Sequence, residues 1–490
     1  MFYIGADLGT TGLKMILMDE NGEIKRSHSE SYPISYPQSG WAEQDPQDWA
    51  EALKKGLKVL TEGIAADRIR AIGLDGQMHG LVMLDADDEV IRPAILWNDT
   101  RAAREVDHLN TEIGQDVIAS YTGNIAFAGF TAPKILWVKR HEPENFSKIK
   151  KIMLPKDYLN YLLTGNLSTD VSDASGMLLL DVEKKTWSKE MLSLCSITED
   201  MLPTLYESYE IVGTVREGLA GELGLTKETK VIAGAGDNAA AAVGAGTVGN
   251  EKCNISIGTS GTVFVTSDEF REGRNNAVHN FAHSDGKYHF LGCMLAAASA
   301  NDWWMRILEA EDLELEQAGI QDLKSSRILF LPYLLGERSP HNDGNARGAF
   351  IGLSMTTTRR DMDQAVLEGV IFGLRDSLEV IRETGIDIRY STLVGGGAKS
   401  SVWQNMVANI LDIEVGILAN EEGPALGSAI LAAVGDGQYP DVETACQAIV
   451  KIKKVIRPDP ATKAHFDRLY EIYKAGYPAL KELNDQLAGL

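Results

Sequence analysis

Apolar runs separated by small-residue turns set the pattern of this chain. Residues 2–6 are apolar and stop at Asp7-Leu8-Gly9-Thr10-Thr11-Gly12; a second run occupies 13–18, Asn21-Gly22 follows, and 24–29 makes a third segment. Both residues of an Asn-Gly pair tolerate positive φ, so the opening is predicted to be an antiparallel β-meander. Asp45-Pro46 then starts a helix expected to reach about Thr61, with the Asp as N-cap and the Pro in the first helical position. Residues 69–74 read as a strand ending at Asp75-Gly76-Gln77-Met78-His79-Gly80, and 231–233 as another ending at Gly234-Ala235-Gly236-Asp237-Asn238.

The pattern then restarts. Residues 253–257 read as a strand, Gly258-Thr259-Ser260-Gly261 as a turn, and 262–266 as the returning strand. This echo of the opening hairpin suggests a weak internal duplication and two domains, 1–247 and 248–490. Farther on, Met362, Ala365, Val366, Val370, Leu374, Leu378 and Ile381 recur at three- and four-residue steps, which predicts a helix over 362–383 with Gly385 as a C-cap candidate. A short strand at 391–394 and the run Gly395-Gly396-Gly397-Ala398 lead into a helix from about 400 to 411. The fold class this predicts is α/β.

Composition narrows the partners. Among 490 residues, 47 Lys and Arg face 70 Asp and Glu, a formal charge of −23, which argues against a nucleic-acid partner because phosphate backbones need a basic footprint. The hydrophobic content of 44% allows large cores. The four cysteines are dispersed and form no CxxC, so neither a disulfide scaffold nor a cysteine zinc site is expected, and a reducing compartment is the simple reading. Residues 1–14 carry Asp7 and no cationic leader pattern, and no apolar run approaches the roughly 20 residues of a membrane span. A cytoplasmic protein without membrane contact is expected, with homodimerisation left open.

Several turns carry candidate chemistry. In the first, glycines let backbone N–H groups approach an anion, hydroxyls add donors, and Asp7 is placed to hold magnesium; an ordinary tight turn with a solvated Asp explains the same residues. The turn of Gly258, Thr259, Ser260 and Gly261 has the same logic without the acid. The three glycines before Ala398 allow a flat base or a phosphate to lie on the backbone near a helix N-terminus. Two GxGxx(A/G) matches, at 234–239 and 244–249, lack an acid at the end of the next strand, and the second precedes a strand rather than a helix, so neither is a dinucleotide fingerprint. There is no GxxxxGK[ST]. Asp237, at a strand end in an otherwise uncharged stretch, suits a general base, the alternative being a helix N-cap. His79, closing a buried strand, suits a sugar hydroxyl or a structural role equally well. His279 and His283 read as structural.

Together these residues resemble the FGGY family of carbohydrate kinases, within the actin-like ATPase superfamily. The resemblance spans nearly the whole chain: Tyr3-Ile4-Gly5-Ala6-Asp7-Leu8-Gly9-Thr10-Thr11, Phe130-Thr131-Ala132-Pro133-Lys134, Ile257-Gly258-Thr259-Ser260-Gly261, Gly348 to Gly369, and Gly395-Gly396-Gly397-Ala398. Met78-His79 stands where similar glycerol kinases carry Arg-Glu. The resemblance implies two actin-like, ribonuclease-H-like domains flanking a central catalytic cleft, the first binding sugar and the second nucleotide. It implies ATP-dependent phosphorylation of D-xylulose, with another ketose or a sugar acid (L-xylulose, ribulose, gluconate) as the alternative substrate. An actin-like ATPase without sugar substrate is the alternative of another class. It implies Asp237 as base; Met78, His79, Asp237 and Asn238 around the sugar; Asp7 acting through Mg2+; Thr10, Thr11 and Lys14 in a first phosphate hairpin; and Gly258, Thr259, Ser260 and Gly261 in a second. Gly397 and Ser401 match adenosine-site positions, Ser401 replacing a frequent Asn. Contacts to adenine within 294–303 are left unassigned.

Overall fold

A computed structural model describes residues 1–272, 276–309, 327–420 and 422–489. The chain forms two compact units: Met1–Gly249 with Asn280–Tyr288 and Glu422–Val450, and Asn250–His279 with His289–Glu421 and Lys451–Leu490.

In the first unit, β1 (Phe2–Leu8), β2 (Gly12–Asp19) and β3 (Ile24–Ser31) form the expected meander, with Gly22 at φ +85° in its second turn. β1 pairs on its other side, in parallel, with Ile69–Gly76. Lys230–Ile232 continues the sheet in parallel, Ile211–Thr214 closes it antiparallel, and Ala235–Gly236 runs beside the end of Ile69–Gly76. Both faces are covered, which is why β1 reads as a continuous apolar run. Ile4, Ala6 and Leu8 share one core with Trp49, Leu53, Leu57 and Leu60 of the helix Pro46–Thr61, capped by the Asp45 carboxylate on the Gln47 N–H. Tyr3 turns to the opposite core, built with the helices Asp237–Gly244 and Pro424–Asp436. Those two helices touch backbone to backbone. A Cβ on Gly427 would stand 1.9 Å from the Ala240 carbonyl oxygen, so only glycine permits the contact.

The second unit has a sheet in the order Tyr288–Met294, Gly261–Ser267, Cys253–Ile257, Tyr390–Val394, Glu414–Leu418 and Ile452–Ile456. Cys253–Ile257 is antiparallel to Gly261–Ser267 and parallel to Tyr390–Val394, the same relation that β1 has to β2 and to Ile69–Gly76. Helix Arg359–Arg382 begins earlier than the periodicity predicts, because Thr358 and Asp361 form a reciprocal capping box. It packs with Ser401–Leu411 and Pro460–Ala488 on a core that includes Ile255, Leu374, Met406, Phe466 and Tyr473. Among the described residues no helix is long and apolar enough to cross a membrane.

Candidate active site

Strand register gathers the acids of the first unit. Asp7 lies opposite Lys14 on one side and opposite Asp75 on the other. Asp75 lies opposite Ala235 in turn, and Gly76 opposite Gly236, so Asp237 follows one step beyond the third strand. The three acids therefore converge at the carboxyl ends of parallel strands, where open α/β sheets bind ligands. Asp7 and Asp75 lie within hydrogen-bonding reach of each other. Ser428, from the helix laid over this face, donates to Asp75 Oδ2 at 2.6 Å, while Asp75 Oδ1 is buried and takes no hydrogen bond from a described donor.

Desolvation makes these groups hold their protons. Burial raises Asp7 to about 6 against the pull of Lys14. It lifts Asp75 well above the carboxylate range, and the charge of Asp7 adds to that. Asp237 rises to about 7, first by burial and then by the charge of Asp7. Against this, Asp237 Oδ1 accepts the Asn238 backbone N–H at 2.7 Å and the Asn238 side-chain amide at 2.9 Å. No described donor is bonded to Oδ2. The helix begins at Asp237 itself with Gly236 as its cap residue, so Asp237 is not serving as an N-cap. Magnesium typically takes one or two carboxylates and fills its shell with phosphate oxygens and water. Asp7 with Asp75 fits that donor set, and no described group of three His, Cys, Asp or Glu side chains is arranged to hold a metal.

Met78 is buried and packs where a side chain on Gly236 would stand. His79 sits in the left-handed region at φ +71°, a conformation that costs a non-glycine residue about 1–2 kcal/mol. The surroundings hold it there. Thr131 Oγ1 and Lys134 Nζ each donate to its carbonyl oxygen at 3.0 Å, its ring stacks on Phe130 at 4.6 Å between centroids, and Nδ1 lies 2.8 Å from the Gly176 carbonyl oxygen. A carbonyl only accepts, so Nδ1 carries the hydrogen and, in the neutral ring, Nε2 is the acceptor nitrogen. A Cβ at Gly176 would fall 2.4 Å from Nδ1, so the ring occupies space that any other residue there would claim. Lys134 is buried, and desolvation lowers its affinity to about 7.

The first turn is braced from outside. Tyr32 donates its hydroxyl to the Gly9 carbonyl oxygen, Gln44 donates to the Thr10 carbonyl oxygen, and Trp97 Nε1 donates to Thr10 Oγ1. Thr11 is exposed. Lys14 Nζ is held by Glu422 Oε2 at 2.7 Å, a partner the sequence does not suggest.

In the second unit, the Thr259 carbonyl oxygen accepts from the Ala297 N–H and from Ser299 Oγ, and that of Gly258 from the Ala298 N–H, which docks this turn on the start of helix Ala298–Ile307. Thr259 and Ser260 remain exposed. Gly397 is buried against Ile257, 2.7 Å from where its Cβ would be, so the glycine run lies on the strand end beside Gly258. Ser401 opens the next helix and is exposed.

The FGGY family model for the N-terminal domain of carbohydrate kinases matches residues 2–244, and that for the C-terminal domain matches 253–435. The chain belongs to the FGGY family of carbohydrate kinases. Among its relatives it is 43% identical over 439 residues to the xylulose kinase of Escherichia coli strain K12, covering 88% of this chain and 90% of that one. Its fold superposes on the ligand-bound xylulose kinase from Lactobacillus acidophilus with a TM-score of 0.94 at 28% identity, each chain covered to 99%. It superposes on the gluconate kinase from Lactobacillus acidophilus with a TM-score of 0.92 at 29% identity, each chain covered to 98%. As a member of this family the chain is a carbohydrate kinase with a two-domain α/β fold.

Proposed function

We propose that this kinase transfers the γ-phosphoryl group of ATP to D-xylulose, giving D-xylulose 5-phosphate, with Asp237 as general base. The observation that carries the base assignment is the unequal state of its two carboxyl oxygens. Asn238 takes up Oδ1 twice over, which leaves Oδ2 for a substrate proton, on a group whose affinity of about 7 is matched to neutral pH. The hydroxyl oxygen attacks phosphorus as its proton passes to Oδ2, and the bond from phosphorus to the β-phosphate oxygen breaks to release ADP.

Met78 supplies an apolar wall and Asn238 an amide beside the base. His79 Nε2, the acceptor nitrogen, takes a hydrogen bond from a sugar hydroxyl. Thr10, Thr11 and Lys14, with Gly258, Thr259, Ser260 and Gly261, contact phosphates through N–H, hydroxyl and ammonium groups; Gly397 and Ser401 serve the adenosine. In this assignment residues 1–247 carry the sugar contacts and the first phosphate hairpin, and 248–490 the second hairpin and the adenosine contacts. Asp7, with Asp75 beside it, holds magnesium, which when bound supplies positive charge to the transferring phosphoryl group.

The choice of sugar rests on sequence rather than fold, because the xylulose and gluconate kinases superpose almost equally well. What favours a neutral ketose is the 43% identity to a xylulose kinase and the uncharged Met78-His79 pair, since a sugar acid calls for a cationic partner such as Arg. A coupled ADP-release assay over D-xylulose, L-xylulose, D- and L-ribulose, gluconate and glycerol tests this. D-xylulose is expected to give the highest kcat/KM. A higher value for gluconate or another ketose overturns the substrate and leaves the family membership untouched.

A further inference from the structure

Beside the turn that precedes Asp237 lies a buried polar cluster. Lys156 is fully buried, with its ammonium 2.7 Å from Asp157, 2.9 Å from Asp170 and 3.5 Å from Asp173. Asp170 gathers donors on its other oxygen: the Ser172 N–H at 2.8 Å, the Ser172 hydroxyl at 2.5 Å and the Ser208 hydroxyl at 2.8 Å. A serine hydroxyl has one hydrogen, and the carboxylate claims it. The lone pairs of Ser172 Oγ are then turned toward the N–H of Gly236, 3.1 Å away. Gly236 is the residue before Asp237, and its other side packs against Met78. Met78 and Ser172 therefore pin the turn from which Asp237 projects.

We infer that Ser172, oriented by the ion pair of Lys156 with Asp170, is a positioning residue for the general base: it fixes the Gly236 peptide and so aims the Asp237 carboxyl at the sugar hydroxyl. The inference rests on the assignment of Asp237 as base. Ser208 provides an internal contrast, because its hydroxyl bonds the same Asp170 oxygen, while only its backbone carbonyl, which Ser208→Ala keeps, reaches the turn before Asp237, on the Gly234 N–H. Ser172 Oγ also lies 3.3 Å from Ser284 Oγ, so its loss costs stability as well; a role in aiming the base is read in kcat, which a purely structural contribution leaves near that of Ser208→Ala.

The experiment compares Ser172→Ala, Ser172→Cys, Ser172→Thr, Ser208→Ala and Asp237→Asn in the full-length enzyme, reading kcat, KM for ATP, KM for D-xylulose and thermal midpoint. Misplacing a reacting group by an ångström costs on the order of 10²-fold, so kcat of Ser172→Ala is expected to fall roughly 10- to 10²-fold with both KM values within about threefold of wild type. Ser172→Thr, which keeps the hydroxyl, is expected to recover most of that loss, and Ser208→Ala to keep kcat near wild type while lowering the thermal midpoint. Should Ser172→Ala not fold, Ser172→Cys, which keeps the shape but is a poor acceptor, carries the same expectation. Equal kcat in the Ser172→Cys or Ser172→Ala variant and in Ser208→Ala overturns the inference. Near-normal kcat in Asp237→Asn overturns instead the base assignment beneath it.

Discussion

Asp7 and Asp75 stand opposite one another on adjacent parallel strands, close enough to share a proton, at the one place where the sheet of the first unit brings two carboxylates side by side under a serine donor. Two buried like charges at that separation are held either by a proton or by a cation. Under the proposed magnesium role, metal binding at this pair is coupled to proton release.

From that coupling, Asp7→Asn is expected to leave the protein folded and to raise the magnesium concentration for half-maximal activity by about tenfold or more, since one of the few charged ligands is lost. Titration of activity with MgCl2 at saturating ATP checks this. An unchanged half-saturation point would make Asp7 only a turn residue.

Asp237→Asn keeps size and removes the proposed base. Loss of general-base catalysis is expected to lower kcat by about 10²- to 10⁴-fold, with little effect on ATP affinity. In the wild type, log kcat/KM for the sugar is expected to fall with unit slope below about pH 7, where Asp237 becomes protonated. Under the proposed role, magnesium offsets the Asp7 charge that raises Asp237, so saturating magnesium should move this limb to lower pH. Retention of more than about a tenth of wild-type kcat by Asp237→Asn removes it as the base.

The same group affects stability. Its folded value, about 7, lies above the ordinary value of 3.8, so the folded state binds the proton more tightly. That contribution is fully present below about pH 4 and is lost as pH rises through about 7. Without magnesium, Asp237→Asn is expected to melt higher than wild type at pH 8 by a few degrees, with the gap narrowing toward pH 5. Differential scanning calorimetry at the two pH values reads the gap; a gap that does not narrow contradicts the buried-acid assignment.

Gly176→Ala tests the sugar side without replacing any assigned residue. The new methyl would need the space of His79 Nδ1, so the ring must leave its place. Both Gly176→Ala and His79→Ala are expected to lower kcat/KM for D-xylulose by about tenfold or more, with slow ATP hydrolysis in the absence of sugar largely retained. Wild-type xylulose kinetics in either variant would assign His79 a structural role.

Much of this site was legible because its acids end apolar runs. Asp7 and Asp237 each interrupt a strand pattern beside glycines, and Asp45-Pro46 marks a helix start that the structure reproduces. Asp75 has the same local signature, an acid closing an apolar strand before glycine, yet its partnership with Asp7 arises from strand register across more than sixty residues of chain, which no local pattern carries. Lys134 and Lys156 carry no role in the sequence reading because a lysine within a helix reads as a solvated face, whereas both are fully buried here. The helix Pro424–Asp436 was equally silent. Buried from the sheet side and by the helix Asp237–Gly244, it has no polar face to give it a period.

That late helix has a consequence for how the molecule is made. Its residues complete the core around Tyr3 and Ile16 and bring Ser428 to Asp75, although the ribosome adds them some four hundred residues after the strand they cover. The first unit therefore cannot finish folding when its own long N-terminal stretch has emerged; it waits, one sheet face bare, until nearly nine-tenths of the chain has been synthesised. Vectorial, domain-by-domain maturation, the usual course for a two-domain protein, is closed to it. A nascent chain stalled after residue 249 would present an apolar sheet face to chaperones, and severing the chain at any crossing between the units from residue 249 to residue 422 would put the acid pair and its serine on separate pieces.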